Sequence, residues 1–125
     1  MAADTRPLQL RAGQIVLADW RGDALPKEPN KRQPAVVVED DGLFAPAYPN
    51  AILVPLTDDG ALVIPDLAVP IAPTPENGRR KPCWAASHPV ATTSKHRLTT
   101  TPSHVTPEQL AAIRRQIALA VGIEG

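Results

Sequence analysis

Aromatic residues are nearly missing from this chain: they make up 3% of its 125 positions, and Trp20, Trp84, Phe44 and Tyr48 are the whole set. A core therefore has to be assembled from Val, Leu, Ile and Ala, which dominate the 43% hydrophobic share. Such a small core gains from dimerisation, which buries further apolar area without lengthening the chain. Cysteine is limited to Cys83, which rules out an intrachain disulfide and fits a reducing compartment. Neither sign of charge prevails, since 13 basic and 13 acidic residues cancel. The strongly basic balance that would favour nucleic acid is thus missing, although local basic patches can still bind phosphates. No apolar run approaches the roughly 20 residues of a membrane span, and the N-terminus lacks a signal-peptide core. A cytoplasmic protein with no membrane partner is expected. The three histidines and Cys83 show no metal-ligand spacing, so neither metal nor other cofactor is expected.

Proline is plentiful. Fifteen of them argue against an all-helical protein, because each removes a backbone donor and fixes φ. The length fits one domain over residues 1–125, with 1–12 as a loose lead-in. A first strand is expected over Gly13–Trp20, then a polar loop from Arg21 to Gln33, long enough to be functional or mobile. Pro34-Ala35-Val36-Val37-Val38-Glu39-Asp40 is the clearest strand, β-branched and closed by a turn at Asp40-Asp41-Gly42. Pro34 can open it because a first position need not donate to the ladder. Ala51–Thr57 reads as a third strand, which Pro55 assigns to a sheet edge or a bulge. A further strand is expected around Val69-Pro70-Ile71. Trp84 to Thr93 reads as a short strand interrupted at Ser87-His88-Pro89, and Leu98 to Thr101 as a brief pairing segment.

One helix is well signalled, over residues 106–121. Thr106 is an N-cap, Pro107 stands at N1, and Gln109 at N3 completes a capping box. Leu110, Ile113, Ile117 and Val121 follow helical spacing, with Arg114 and Arg115 on the wet side and Gly122 as terminator. Short strands followed by one closing helix point to a mainly β protein, a small, partly open barrel with the helix packed on it.

Gly13-Gln14-Ile15-Val16, the basic Lys31-Arg32-Gln33, the strand Pro34-Ala35-Val36-Val37-Val38 and the later Pro55-Leu56-Thr57 occur in an order and spacing that resemble the MazF/PemK toxins. The terminal Thr106-Pro107-Glu108-Gln109-Leu110 resembles that family's closing helix, so the likeness runs from about residue 13 to about residue 122. The resemblance implies an SH3-like antiparallel barrel of the CcdB/MazF type with a C-terminal α-helix. It further implies a homodimer that cuts single-stranded RNA without a metal and is silenced by an antitoxin protein. The fold relative CcdB, which acts on DNA gyrase by protein contact, supplies the alternative: a non-cleaving barrel.

Metal-independent cleavage uses the RNA's own 2′-hydroxyl. The protein must neutralise charge on the phosphorane and help protonate the leaving 5′-oxygen. In the family an arginine before the valine-rich strand and a threonine closing the Pro-Leu-Thr strand serve that chemistry. Thr57 matches the threonine; a strand-end Thr bonding a turn backbone is the plainer role for it. The arginine position is occupied by Gln33, with Arg32 one residue earlier. Because neighbouring strand residues face opposite sides, either Arg32 reaches the site through its length or Gln33 replaces it and catalysis is impaired. Arg32 and Thr57 are the catalytic candidates. Candidate substrate-binding residues are Gln33, Lys27, Lys31, Arg79, Arg80 and Lys95 from basic loops, Trp20 as a stacking ring, and Ser87 and His88 where many family members carry an acid and an amide.

Overall fold

The computed structural model describes residues 9–19 and 32–123. Within them the chain forms β1 (Gln14–Asp19), β2 (Arg32–Val37), β3 (Asn50–Thr57), β4 (Ala68–Ile71), β5 (Cys83–Ala86), β6 (Ala91–Ser94), β7 (Leu98–His104) and α1 (Pro107–Ala120). The strands make a seven-stranded sheet in the order β4-β5-β3-β2-β1-β7, with β6 also on β3. Every pairing is antiparallel. The mainly β architecture with one closing helix is as the sequence predicts. No helix among the described residues is long and apolar enough to cross a membrane.

The valine-rich segment reads as a continuous apolar run because β2 is buried on both faces. Val36 and Val38 join one cluster with Ile15, Val54, Leu56, Ile71 and Ile113. Ala35 and Val37 join another with Val16, Ala18, Ala51 and Leu53. The same alternation splits β3, Val54 and Leu56 facing the first cluster and Ala51 and Leu53 the second.

β3 is interior rather than an edge strand. One side pairs with β2, and the other pairs with β6 up to Leu53 and with β5 from Leu56. Pro55 falls where the strand changes partners, in the gap between those two ladders. The interruption expected at Ser87-His88-Pro89 is that gap's counterpart: Leu56 faces Ala85 and Leu53 faces Ala91, so three steps on β3 match six on the opposing chain. β7 pairs along β1 and is longer than the Leu98 to Thr101 segment expected.

Helix α1 carries the predicted capping box, Gln109 N–H donating to Thr106 Oγ1 at 3.0 Å and Thr106 N–H to Gln109 Oε1 at 2.9 Å. Ile113 is buried, and Leu110 and Ile117 pack on the first cluster. Val121 departs from expectation and is 64% exposed: it is the C-cap, and the chain has left helical periodicity there. Arg114 is exposed yet engaged, its Nε donating to the carbonyl of Val38 at 3.1 Å and Nη2 to that of Glu39 at 3.0 Å. Gly13 supports the join between β1 and the helix. Its φ of +88° suits glycine alone, and its carbonyl accepts the Val105 N–H at 2.9 Å.

Candidate functional site

The ends of β2 and β3 define one wall of the site. Ala35 stands opposite Pro55 and Val36 opposite Val54; two residues further along, the same register sets Gln33 opposite Thr57. Cross-strand partners share a face, and both side chains are buried, Gln33 at 3% and Thr57 at 7% exposure. They line a hollow of about 370 Å³ together with Asp58, and Gly78, Arg79, Arg80, Lys81 and Cys83 also line it.

Thr57 Oγ1 accepts the Asp59 N–H at 3.1 Å. A hydroxyl that accepts one bond keeps its own proton for donation, so stabilising the turn and donating into the hollow are compatible. Among the described residues nothing hydrogen-bonds the Gln33 side-chain amide. A buried polar group without a partner is costly. Its place in the hollow leaves both its donors and its acceptor to whatever enters.

Arg32 goes the other way. It is paired with Asp19 of β1, is exposed, and donates from Nη1 to Thr99 Oγ1 of β7 at 3.1 Å. Consecutive strand residues point to opposite faces, so within one chain Arg32 is not brought to Thr57, whereas Gln33 is.

The cations at the hollow come from the loop between β4 and β5, which is tied down by Asn77. This side chain is 2% exposed. Its Nδ2 donates to the Ala72 carbonyl at 2.8 Å, and its Oδ1 accepts from Thr74 N at 3.0 Å and Arg79 N at 2.9 Å. Gly78 turns the chain at φ +65° under Ser103, where a Cβ would lie 2.7 Å from the serine Oγ. Arg79, Arg80 and Lys81 therefore leave a fixed turn, not a loose one.

Three cations against one carboxylate make the hollow attractive to anions. Lys81 meets Asp58 at 3.5 Å with both groups largely exposed, an ion pair of little energetic weight. Burial pushes the Cys83 thiol above its ordinary value; Arg79 pulls it back and Asp58 adds to the rise. The thiol is thus a neutral part of the wall at physiological pH.

The remaining candidates lie elsewhere. Ser87 is fully buried and donates to Gln116 Oε1 at 2.6 Å, while Gln116 Nε2 reaches the Ala68 carbonyl at 3.2 Å. It ties the helix to β4 and does not line the hollow. His88 is exposed at the corner between β5 and β6. Lys95 lines a second hollow of about 700 Å³ beside Pro46 and His104, donating to the Pro46 carbonyl at 3.1 Å. Trp20, Lys27 and Lys31 lie outside the described residues. Sequence reasoning missed Asn77, Gly78 and Asp58. The Asn-Gly pair is a turn signal that marks the first two, but nothing local marks Asp58 as part of a site.

The chain thus combines a seven-stranded antiparallel sheet, one C-terminal helix, and a basic loop that shares a hollow with a strand-end threonine. Residues 11–121 match the PemK-like, MazF-like toxins of type II toxin–antitoxin systems, and the chain belongs to that family. Solved structures of the same fold include a MazF from Deinococcus radiodurans (TM-score 0.72, 16% identity, covering 96% of this chain and 100% of that one). The Mycobacterium tuberculosis toxin MazF-mt6 aligns with TM-score 0.66 at 18% identity over 90% of this chain and 99% of its own. A mycobacterial endoribonuclease in complex with its cognate antitoxin aligns with TM-score 0.62 at 20% identity, covering 98% and 99%. Comparison with curated protein sequences finds no match.

Proposed function

We propose that this toxin is an endoribonuclease that cleaves single-stranded RNA at the hollow between Thr57, Gln33 and the basic loop, and that a cognate antitoxin silences it. The observation that carries the reading is that two buried hydrogen-bonding side chains, Gln33 and Thr57, line one hollow with three cations. The fold's relatives support it, since one of them is named an endoribonuclease and bears a bound antitoxin.

In the reaction the 2′-oxygen bonds to phosphorus and the bond from phosphorus to the 5′-oxygen breaks. The proton lost from the 2′-oxygen passes to water and one returns to the leaving 5′-oxygen. A 2′,3′-cyclic phosphate and a 5′-hydroxyl result. Thr57 and Gln33 donate to non-bridging oxygens, and the guanidinium groups offset the added negative charge. A homodimer sets two such hollows along one strand of RNA and raises the positive field without altering the neutral total.

The test is incubation of the purified chain with single-stranded RNA in EDTA. Fragments ending in cyclic phosphate are expected, and addition of the cognate antitoxin should abolish them. RNA left intact at high enzyme concentration would overturn the proposal; stalled gyrase–DNA complexes in its place would establish the non-cleaving alternative.

A further inference from the structure

We infer that Arg79, from the loop between β4 and β5, supplies the positive charge on the scissile phosphate in this chain, in place of an arginine from the start of β2. The inference rests on the RNA-cleaving reading and deepens it by assigning the cation. The strand position beside Thr57 holds Gln33, a neutral amide 3% exposed and without a partner among the described residues. An amide N–H can bond a phosphate oxygen but brings no charge, whereas the pentacoordinate phosphorane needs a compensating cation. The nearest strand cation, Arg32, lies on the opposite face of β2, its Nη1 donating to Thr99 Oγ1 across β1.

Of the cations lining the hollow, Lys81 is drawn toward Asp58 and Arg80 is exposed. Arg79 is half-buried, and its backbone N–H is held by the buried Asn77 at 2.9 Å. Its Nε lies 3.4 Å from the Asn77 carbonyl, a weak bond that leaves both terminal nitrogens for a phosphate. A neutral donor on the strand and a charged fork on the loop divide between two elements what one arginine would do from the strand.

The experiment compares full-length wild type, Arg79→Gln and Arg32→Gln on single-stranded RNA in EDTA. Binding is followed separately on the same oligonucleotide made uncleavable by 2′-O-methyl groups. Glutamine keeps the stem and some donors, so folding is retained, and a melting curve checks it. Arg79→Gln is expected to lower kcat/KM about a hundredfold, and Arg32→Gln to change it less than about threefold. The slope of log binding constant against log salt should fall by about 0.7 in Arg79→Gln, as for one lost phosphate contact on a single strand; a merely structural role would leave that slope alone. Restoration of cleavage by Gln33→Arg in the Arg79→Gln background would support the division of roles. Arg79→Gln cleaving within about threefold of wild type, or an unchanged salt slope, overturns the assignment while leaving the nuclease reading intact. Wild type that cuts no RNA overturns both.

Discussion

Replacing Thr57 with valine removes one oxygen at nearly constant shape and separates the bond the hydroxyl makes from the chemical role proposed for it. The first is structural. Oγ1 accepts the Asp59 N–H at 3.1 Å in a partly buried turn, a bond contributing about 1 kcal/mol. Its loss should lower the melting temperature by about 3–5 °C for a domain of this size. The second, proposed role is chemical. A donor aimed at charge that develops in the transition state contributes about 2.7–4 kcal/mol, so kcat should fall about 10²–10³-fold. The two magnitudes differ enough to be told apart. Thr57→Ser keeps the hydroxyl and should cleave within about fivefold of wild type, although unlike valine it loses a methyl group from the wall. The assay is single-turnover cleavage of a fluorescent RNA, run well below the melting temperature of each variant. Valine cutting at the wild-type rate, or serine failing as badly as valine, would refute the reasoning.

Three other outcomes follow from particular contacts. Asn77→Ala strips the basic loop of bonds to Ala72, Thr74 and Arg79; it should cost about 2–3 kcal/mol in denaturant titration and speed amide exchange across residues 73–82. Intact protection there would show that the loop is held by something else. Ser87→Ala removes the donor to Gln116 and should lower stability by about 1–2 kcal/mol with kcat unchanged, since Ser87 anchors the helix; a selective loss of activity would return it to the site. For Cys83, burial raises the thiol's pKa above its ordinary value of 9.0. Its contribution to stability is thus complete below that pH and fades as pH climbs toward the folded-state value, where the unfolded chain ionises first. Cys83→Ala should flatten stability against pH above about 9, and an unaltered slope in denaturant melts would contradict the assignment.

Local chemistry was enough for much of this architecture. The capping box at Thr106 and Gln109 is written within four residues and forms as written, because a helix N-terminus is satisfied by its own neighbours. The valine-rich strand and the Pro-Leu-Thr strand also declare themselves, through β-branched runs that suit a twice-covered sheet. Pro55 misled in part, since a proline in a strand normally marks an edge. It lies instead where β3 passes from β6 to β5, a gap created by the insertion at Ser87-His88-Pro89 thirty-odd residues downstream.

What the chain's own order of residues determined, then, is which segments become strands, where the helix begins, and that a hydroxyl would close β3. Tertiary structure alone decided which side of β2 faces that hydroxyl. The choice between Arg32 and Gln33 depends on register across three strands, Arg32 pairing with Asp19 and reaching Thr99 while Gln33 falls beside Thr57. Likewise, the placing of Arg79 around the same hollow as a threonine over twenty residues away depends on how Asn77 folds its loop. A strand's two faces differ by a single step in sequence, and only the packing of its neighbours says which of them is inside.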